Sequence, residues 1–174
     1  SGKNIYFIGF MAAGKSTIGR AFAAYLGWPF IDTDDYIERI AGKSVPEIFA
    51  EQGEAAFRDM ETRAIRDLCD RKNTVIALGG GAVLRDENWQ LLESSGITVW
   101  LHVPVNIIDQ RVSASSHRPL MTGLSATERY NKIRSMLSKR TPYYKRARIT
   151  VRCSGTQSVK SLVFKLFERL LYES

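Results

Sequence analysis

At 174 residues, with 44% hydrophobic and 25% charged side chains, the chain has the length and balance of one soluble domain, expected to span residues 1–174. No apolar run approaches the roughly 20 residues of a membrane helix, no secretory signal is read at the N-terminus, and Cys69 and Cys153 match neither a disulfide scaffold nor a metal-ligand spacing, so a reducing cytoplasmic location is expected. The net charge of +7 fits nucleic acid, a polyanionic small molecule or only a basic soluble surface.

Ile5-Tyr6-Phe7-Ile8 is an apolar run too short for a helix, which predicts a strand buried on both faces. A helix follows from about Lys15, with Ile18, Phe22 and Leu26 at helical spacing and Gly27 as its stop. Phe30-Ile31 reads as a second strand. Residues 34–70 read as mostly helical, broken near Gly42-Lys43-Ser44, where Ser44 suits a cap. Val75 to Leu78, Ile97 to Val103 and Ile149 to Val151 complete five strands. The last helix carries Val159, Leu162, Val163, Leu166, Phe167, Leu170 and Leu171 as one apolar stripe, assigned to the core. Strands alternating with helices imply a parallel sheet covered on both faces, with ligands beyond the strands' carboxyl ends.

Gly9 to Thr17 reads G-x-x-x-x-G-K-S-T between the first strand and the first helix, the context a phosphate loop requires. Backbone N–H groups and the helix dipole cradle phosphates there. Lys15 would reach the β- and γ-phosphates of ATP, and the Ser16 hydroxyl would ligate Mg²⁺. No guanine-binding signature and no motor ATPase strand accompanies the loop.

The second strand ends in Asp32-Thr33-Asp34-Asp35. If the chain stays extended, Asp32 and Asp34 point the same way, one toward a metal and one toward an acceptor hydroxyl; alternatively Asp34 or Asp35 caps the next helix. Arg58 and Glu61 stand three apart on a predicted helix, so Glu61 can brace a guanidinium that clamps a carboxylate, or the two form an ordinary surface ion pair. Gly79-Gly80-Gly81, after the third strand, would let the backbone approach a ligand, or form a plain loop.

Gly9 to Thr17, Asp32-Thr33-Asp34, Phe57-Arg58 with Glu61, Gly79 to Val83, and Arg118-Pro119-Leu120 resemble the shikimate kinases in order and spacing, from Ile5 to the C-terminus. The resemblance implies a three-layer α/β sandwich, a five-stranded parallel sheet of order 2-3-1-4-5 in a P-loop kinase of the nucleoside-monophosphate-kinase type. Substrate-binding helices would occupy about 33–61 and a mobile lid about 112–124. It implies phosphoryl transfer from MgATP to the 3-hydroxyl of shikimate, in aromatic amino acid biosynthesis. Asp34 would assist the attacking hydroxyl, and Asp32 and Ser16 would serve Mg²⁺. Arg58 and Arg140 would bind the shikimate carboxylate, with Gly79, Gly80 and Gly81 supporting the pocket and Phe49 and Phe57 walling it. Ala12, Ala13, Gly14, Lys15, Ser16 and Thr17 would hold the nucleotide phosphates. The family usually has a glycine at Ala12 or Ala13, so a strained dihedral is expected there.

The run Ser113 to Gly123 loses apolar periodicity and suits a lid. On the resemblance its Arg118 would neutralise charge on the transferring group, Arg111 would lie over the adenine, and Ser154-Gly155-Thr156 would flank the base. His102 and His117 receive structural or solvent-exposed readings. The basic residues from Arg134 to Arg152, with only Tyr143 and Tyr144 as stacking aromatics, lack a nucleic-acid recognition signature. No nucleic-acid or membrane partner is therefore expected, and a monomer is the expected state. A gluconate or nucleotide kinase and a non-catalytic nucleotide-binding module are the rivals; retention of Lys15, Ser16, Asp34 and Arg118 together speaks against the second.

Overall fold

The computed structural model describes residues 2–115 and 121–173. β1 (Asn4–Ile8) is buried at all five positions because it is central, paired in parallel with β3 (Val75–Ala77) on one side and β4 (Gly96–His102) on the other. β2 (Phe30–Asp32) adds to β3 and β5 (Ile149–Arg152) to β4, giving the parallel order 2-3-1-4-5. Parallel strands need crossovers, and helices supply them on both faces. α1 (Lys15–Leu26) packs with α7 (Val159–Glu173), and α3 (Val45–Cys69) with α4 (Asp86–Ser95). α2 (Thr33–Ala41), α5 (Val105–Ser113) and α6 (Ala126–Tyr144) complete the α-helices among the described residues.

The helix ends follow from local chemistry. α1 begins at Gly14 (φ 93°) and stops at Gly27 (φ 69°), both left-handed, a conformation glycine adopts without Cβ strain. Ser44 caps α3 through a reciprocal pair with Glu47, as a capping box does. The expected helical stretch breaks internally at Gly53 (φ 84°, ψ 173°), a glycine that separates the turns carrying Phe49 from those carrying Arg58. The α7 stripe also needs correction at its ends. Leu162, Val163 and Leu166 are buried, whereas Val159, which lines the cleft described below, and Leu171 lie open.

The main core lies between the sheet and its helices, around Phe7, Phe22, Ile76, Val99 and Leu166. A second, smaller core of Ile37, Ile48, Phe57 and Ala64 joins α2 to α3. That second cluster gives these two helices packing of their own beside the carboxyl ends of β2 and β3.

Candidate active site

A cleft of about 1070 Å³ opens beyond the carboxyl ends of the strands, lined along its length by the phosphate loop, the β2–α2 junction, the middle of α3, the glycine triplet, α6 and the segment after β5. This is where an open parallel sheet leaves room for a ligand. Of the phosphate-holding residues expected from the sequence, Ala12, Ala13, Gly14, Lys15, Ser16 and Thr17 all line it. Ala12 has φ 60°, so the strain expected from the missing glycine is present, at one residue. Lys15 Nζ donates to the carbonyls of Gly9 (2.7 Å) and Phe10 (2.9 Å), which folds the ammonium back over its own loop. Arg111, expected at the adenine, donates to the Ala12 carbonyl at 2.9 Å and lines the same end of the cleft. Gly155 lines it too, together with Cys153 and Gln157; Ser154 and Thr156 are exposed and bond to each other.

The acidic pair is arranged differently from the extended reading. Only Asp32 belongs to the strand; the helix starts at Thr33, so Asp34 sits in its first turn. Neither Asp34 nor Asp35 is the cap. Asp32 is, accepting with Oδ1 from the backbone N–H of Asp34 (2.8 Å) and Asp35 (3.3 Å), while its Oδ2 accepts from the Ser16 hydroxyl. Asp34 still faces the cleft, because one helical turn rather than a strand pleat carries it there. Its Oδ1 is buried without a hydrogen-bond partner. Burial, reinforced by the negative charges of Asp32 and Glu61 and opposed by Lys15, raises the Asp34 carboxyl to about 7.

Arg58 and Glu61 do form a pair, at 3.0 Å, but it is not a surface one: the Glu61 side chain is wholly buried and that of Arg58 is 12% exposed. Glu54 holds the other guanidinium nitrogen at 3.2 Å. Burial pushes the Glu61 carboxyl up against the pull of Arg58, Arg140 and Arg85. Phe57 packs on Phe49 with ring centroids 4.9 Å apart, and both rings wall the cleft as expected. Arg140 is buried, its guanidinium 5.3 Å from the Phe10 ring centroid, and among the described residues no carboxylate lies within ion-pair distance of it. A desolvated cation so placed favours an anionic ligand.

The glycine triplet lines the cleft, and it also makes room for the side chains around it. A Cβ on Gly79 would stand 2.5 Å from Glu61 Oε2 and 3.2 Å from Asp34 Oδ1. On Gly80 it would stand 3.1 Å from Arg140 Nη1, and on Gly81 2.6 Å from Arg58 Nη1. The missing side chains are what allow two carboxylates and two guanidinium groups to converge on one loop. Arg118 and His117 lie outside the described residues; His102 stacks on Trp100 at 4.3 Å, away from the cleft. Tyr144, read only as a stacking candidate for nucleic acid, is fully buried and donates to the Gly80 carbonyl at 2.7 Å. Its spacing of four from Arg140 on one helix was the available signal.

The family model described as shikimate kinase matches residues 11–171. The chain belongs to the shikimate kinase family. The shikimate kinase of Nostoc sp. is 40% identical over 169 residues, covering 97% of this chain and 91% of that relative. That of Thermodesulfovibrio yellowstonii is 39% identical over 170 residues, covering 97% and 96%. Among solved structures, shikimate kinase from Acinetobacter baumannii in complex with shikimate superposes with a TM-score of 0.94 at 36% identity, covering 100% of this chain and 96% of that one. A gluconokinase from Sinorhizobium meliloti, at a TM-score of 0.58 and 17% identity, shares the fold alone.

Proposed function

We propose that the chain transfers the γ-phosphoryl group of ATP to the 3-hydroxyl of shikimate, giving shikimate 3-phosphate and ADP. The observation that carries the reading is the convergence, on one glycine loop facing the phosphate loop, of the unpartnered Asp34 carboxylate oxygen with the buried guanidinium groups of Arg58 and Arg140. An acceptor for that site carries a carboxylate at fixed distance from a reactive hydroxyl. Shikimate does.

Arg58 and Arg140 bind the carboxylate, with Glu61 and Glu54 fixing the fork of Arg58 and leaving it one direction to face. Phe49 and Phe57 exclude water beside the ring. The acceptor hydroxyl donates to Asp34 and its oxygen attacks the γ-phosphorus; the bond from that phosphorus to the β–γ bridging oxygen breaks, and the hydroxyl proton passes to Asp34. A carboxyl raised to about 7 is matched to that task near neutral pH. Lys15 and the loop amides hold the phosphates and neutralise charge on them.

The Ser16 hydroxyl and the Asp32 carboxylate meet at the mouth of the phosphate loop, a pair of hard oxygen donors that fits Mg²⁺. When bound there, the ion supplies charge neutralisation of the phosphates. Arg118 and the lid at 112–124 complete the reading, as does a monomeric cytoplasmic enzyme with no nucleic-acid partner. Among the described residues no helix is long and apolar enough to cross a membrane.

A coupled ADP-release assay comparing shikimate, quinate and gluconate tests the reading. Turnover with shikimate well above the other two is expected; equal or greater turnover with gluconate, or none with any acceptor, overturns it.

A further inference from the structure

Tyr144 lies behind the acceptor side of the cleft and contacts no part of the phosphate loop's own hydrogen-bond set. Its ring is fully buried, stacked on Trp100 of β4 with centroids 5.8 Å apart and an interplanar angle of 26°. A phenol so enclosed has one orientation, and an unbonded hydroxyl there would be costly. The hydroxyl donates to the Gly80 carbonyl at 2.7 Å. The Arg140 side chain, one helical turn earlier on α6, donates in turn to the Tyr144 hydroxyl oxygen. The proline at 142 lies between the two residues and removes an amide donor from that turn, while the Thr141 hydroxyl bonds the Leu137 carbonyl at 2.7 Å.

Gly80 is where the acceptor side and the phosphate loop meet. A Cβ there would fall 3.1 Å from Arg140 Nη1, 3.2 Å from the Met11 amide nitrogen and 3.4 Å from the Gly9 carbonyl oxygen. Nothing on Gly80's own side chain can hold it, since there is none, so the position of its carbonyl depends on what bonds to it. Tyr144 is that bond. We propose that Tyr144 is a positioning residue for the acceptor's carboxylate, its hydroxyl pinning the Gly80 carbonyl and holding Arg140 against it. Burial raises the phenol to about 12, so it remains a neutral donor through the working pH range and takes no proton in the reaction.

The inference rests on the acceptor reading above, and the experiment separates the two. Tyr144→Phe keeps the ring and its stack on Trp100 and deletes only the hydroxyl. Loss of one buried hydrogen bond to a site-forming carbonyl is expected to raise KM for shikimate on the order of tenfold. KM for ATP should stay within about twofold, since the phosphate loop keeps its own bonds. A shikimate analogue with the carboxylate replaced by a neutral amide supplies the second arm. The variant should lose much less on this analogue, because the lost interaction acts through Arg140 on the carboxylate. Site-specific fluorotyrosine at 144, whose phenol ionises at lower pH, keeps the packing should the phenylalanine variant be too unstable to assay. There KM for shikimate should climb at high pH beyond any change the native protein shows over the same range. A normal KM for shikimate, equal increases for shikimate and ATP, or an equal loss on the amide analogue each overturn the positioning role. Absence of shikimate turnover in the unaltered enzyme overturns the acceptor reading itself, and this inference with it.

Discussion

Gly81→Ala places a single methyl group where the Arg58 guanidinium lies. The added Cβ would stand 2.6 Å from Nη1, and closer still to Cζ and Nη2, against an ordinary contact of 3.4–4 Å. The guanidinium must therefore move by about 1 Å. The backbone does not resist the change: Gly81 has φ −95° and ψ −1°, open to alanine. The atoms in the way are the far end of a flexible side chain, so relief is cheap for stability. Stretching the pair to Glu61 costs about 1 kcal/mol, and the glycine-to-alanine exchange returns about 0.4–1 kcal/mol through the unfolded chain. Thermal midpoints should stay within about 4 °C. Binding is another matter, because hydrogen bonds to charged groups contribute about 1.5–3 kcal/mol and a clamp displaced by 1 Å loses most of that. KM for shikimate is expected to rise by one to two orders of magnitude, with KM for ATP nearly unchanged. Steady-state kinetics on both substrates, beside a melting curve, measures all three quantities. An unchanged shikimate KM would mean that Arg58 does not contact the acceptor, and the reasoning from the glycine loop would fail with it.

Asp34→Asn should lower turnover about 10²–10⁴-fold while ATP affinity holds; near-normal activity would remove Asp34 from the chemistry. The same variant tests the carboxyl's environment. Because folding raises this acid from 3.8 to about 7, the native state holds a proton that the unfolded chain has released between those values, so stability falls as pH rises through that window. Asn should therefore melt higher than Asp at pH 8 and show little advantage near pH 3; a lower midpoint at pH 8 would contradict the buried, unpartnered placement. Lys15→Met should abolish turnover and weaken ATP binding by calorimetry, and unchanged values of both would end the phosphate-loop reading. Arg58→Leu should raise the shikimate KM and also destabilise by about 3 kcal/mol, because Glu61 is left buried without its guanidinium; a surface pair would have cost at most about 1 kcal/mol.

The sheet was legible because its strands are short apolar runs between amphipathic stretches, and the phosphate loop because its glycines and lysine are fixed in spacing by backbone geometry. Ser44 and Gly27 were readable as helix ends for the same local reasons. The β2–α2 junction was not. Whether Asp34 leaves the strand extended or helical depends on Asp32 accepting from two amides, a choice that composition does not record. Nor could the Gly79 to Gly81 run be understood from its own residues: what forbids a side chain there comes from Asp34, Arg58, Glu61 and Arg140, which approach from three helices, α2, α3 and α6. The Gly53 break is masked in the sequence by glutamate and alanine on both sides, which keep helical propensity high. Tyr144 was visible as an aromatic, and its importance waits on the loop it touches.

On the proposed reading, Asp32 divides its two oxygens between neighbours that serve different substrates. Oδ2 meets Ser16 on the phosphate loop, and Oδ1 anchors the first amides of α2, the helix that carries Asp34. A longer acid would overshoot one of them, and an amide could accept on one side only while offering a donor on the other. The nucleotide half and the acceptor half are thus riveted together at one carboxylate, with no slack chain between them. Any shift of the phosphate loop at Ser16 is passed to the start of α2 within a single side chain's length.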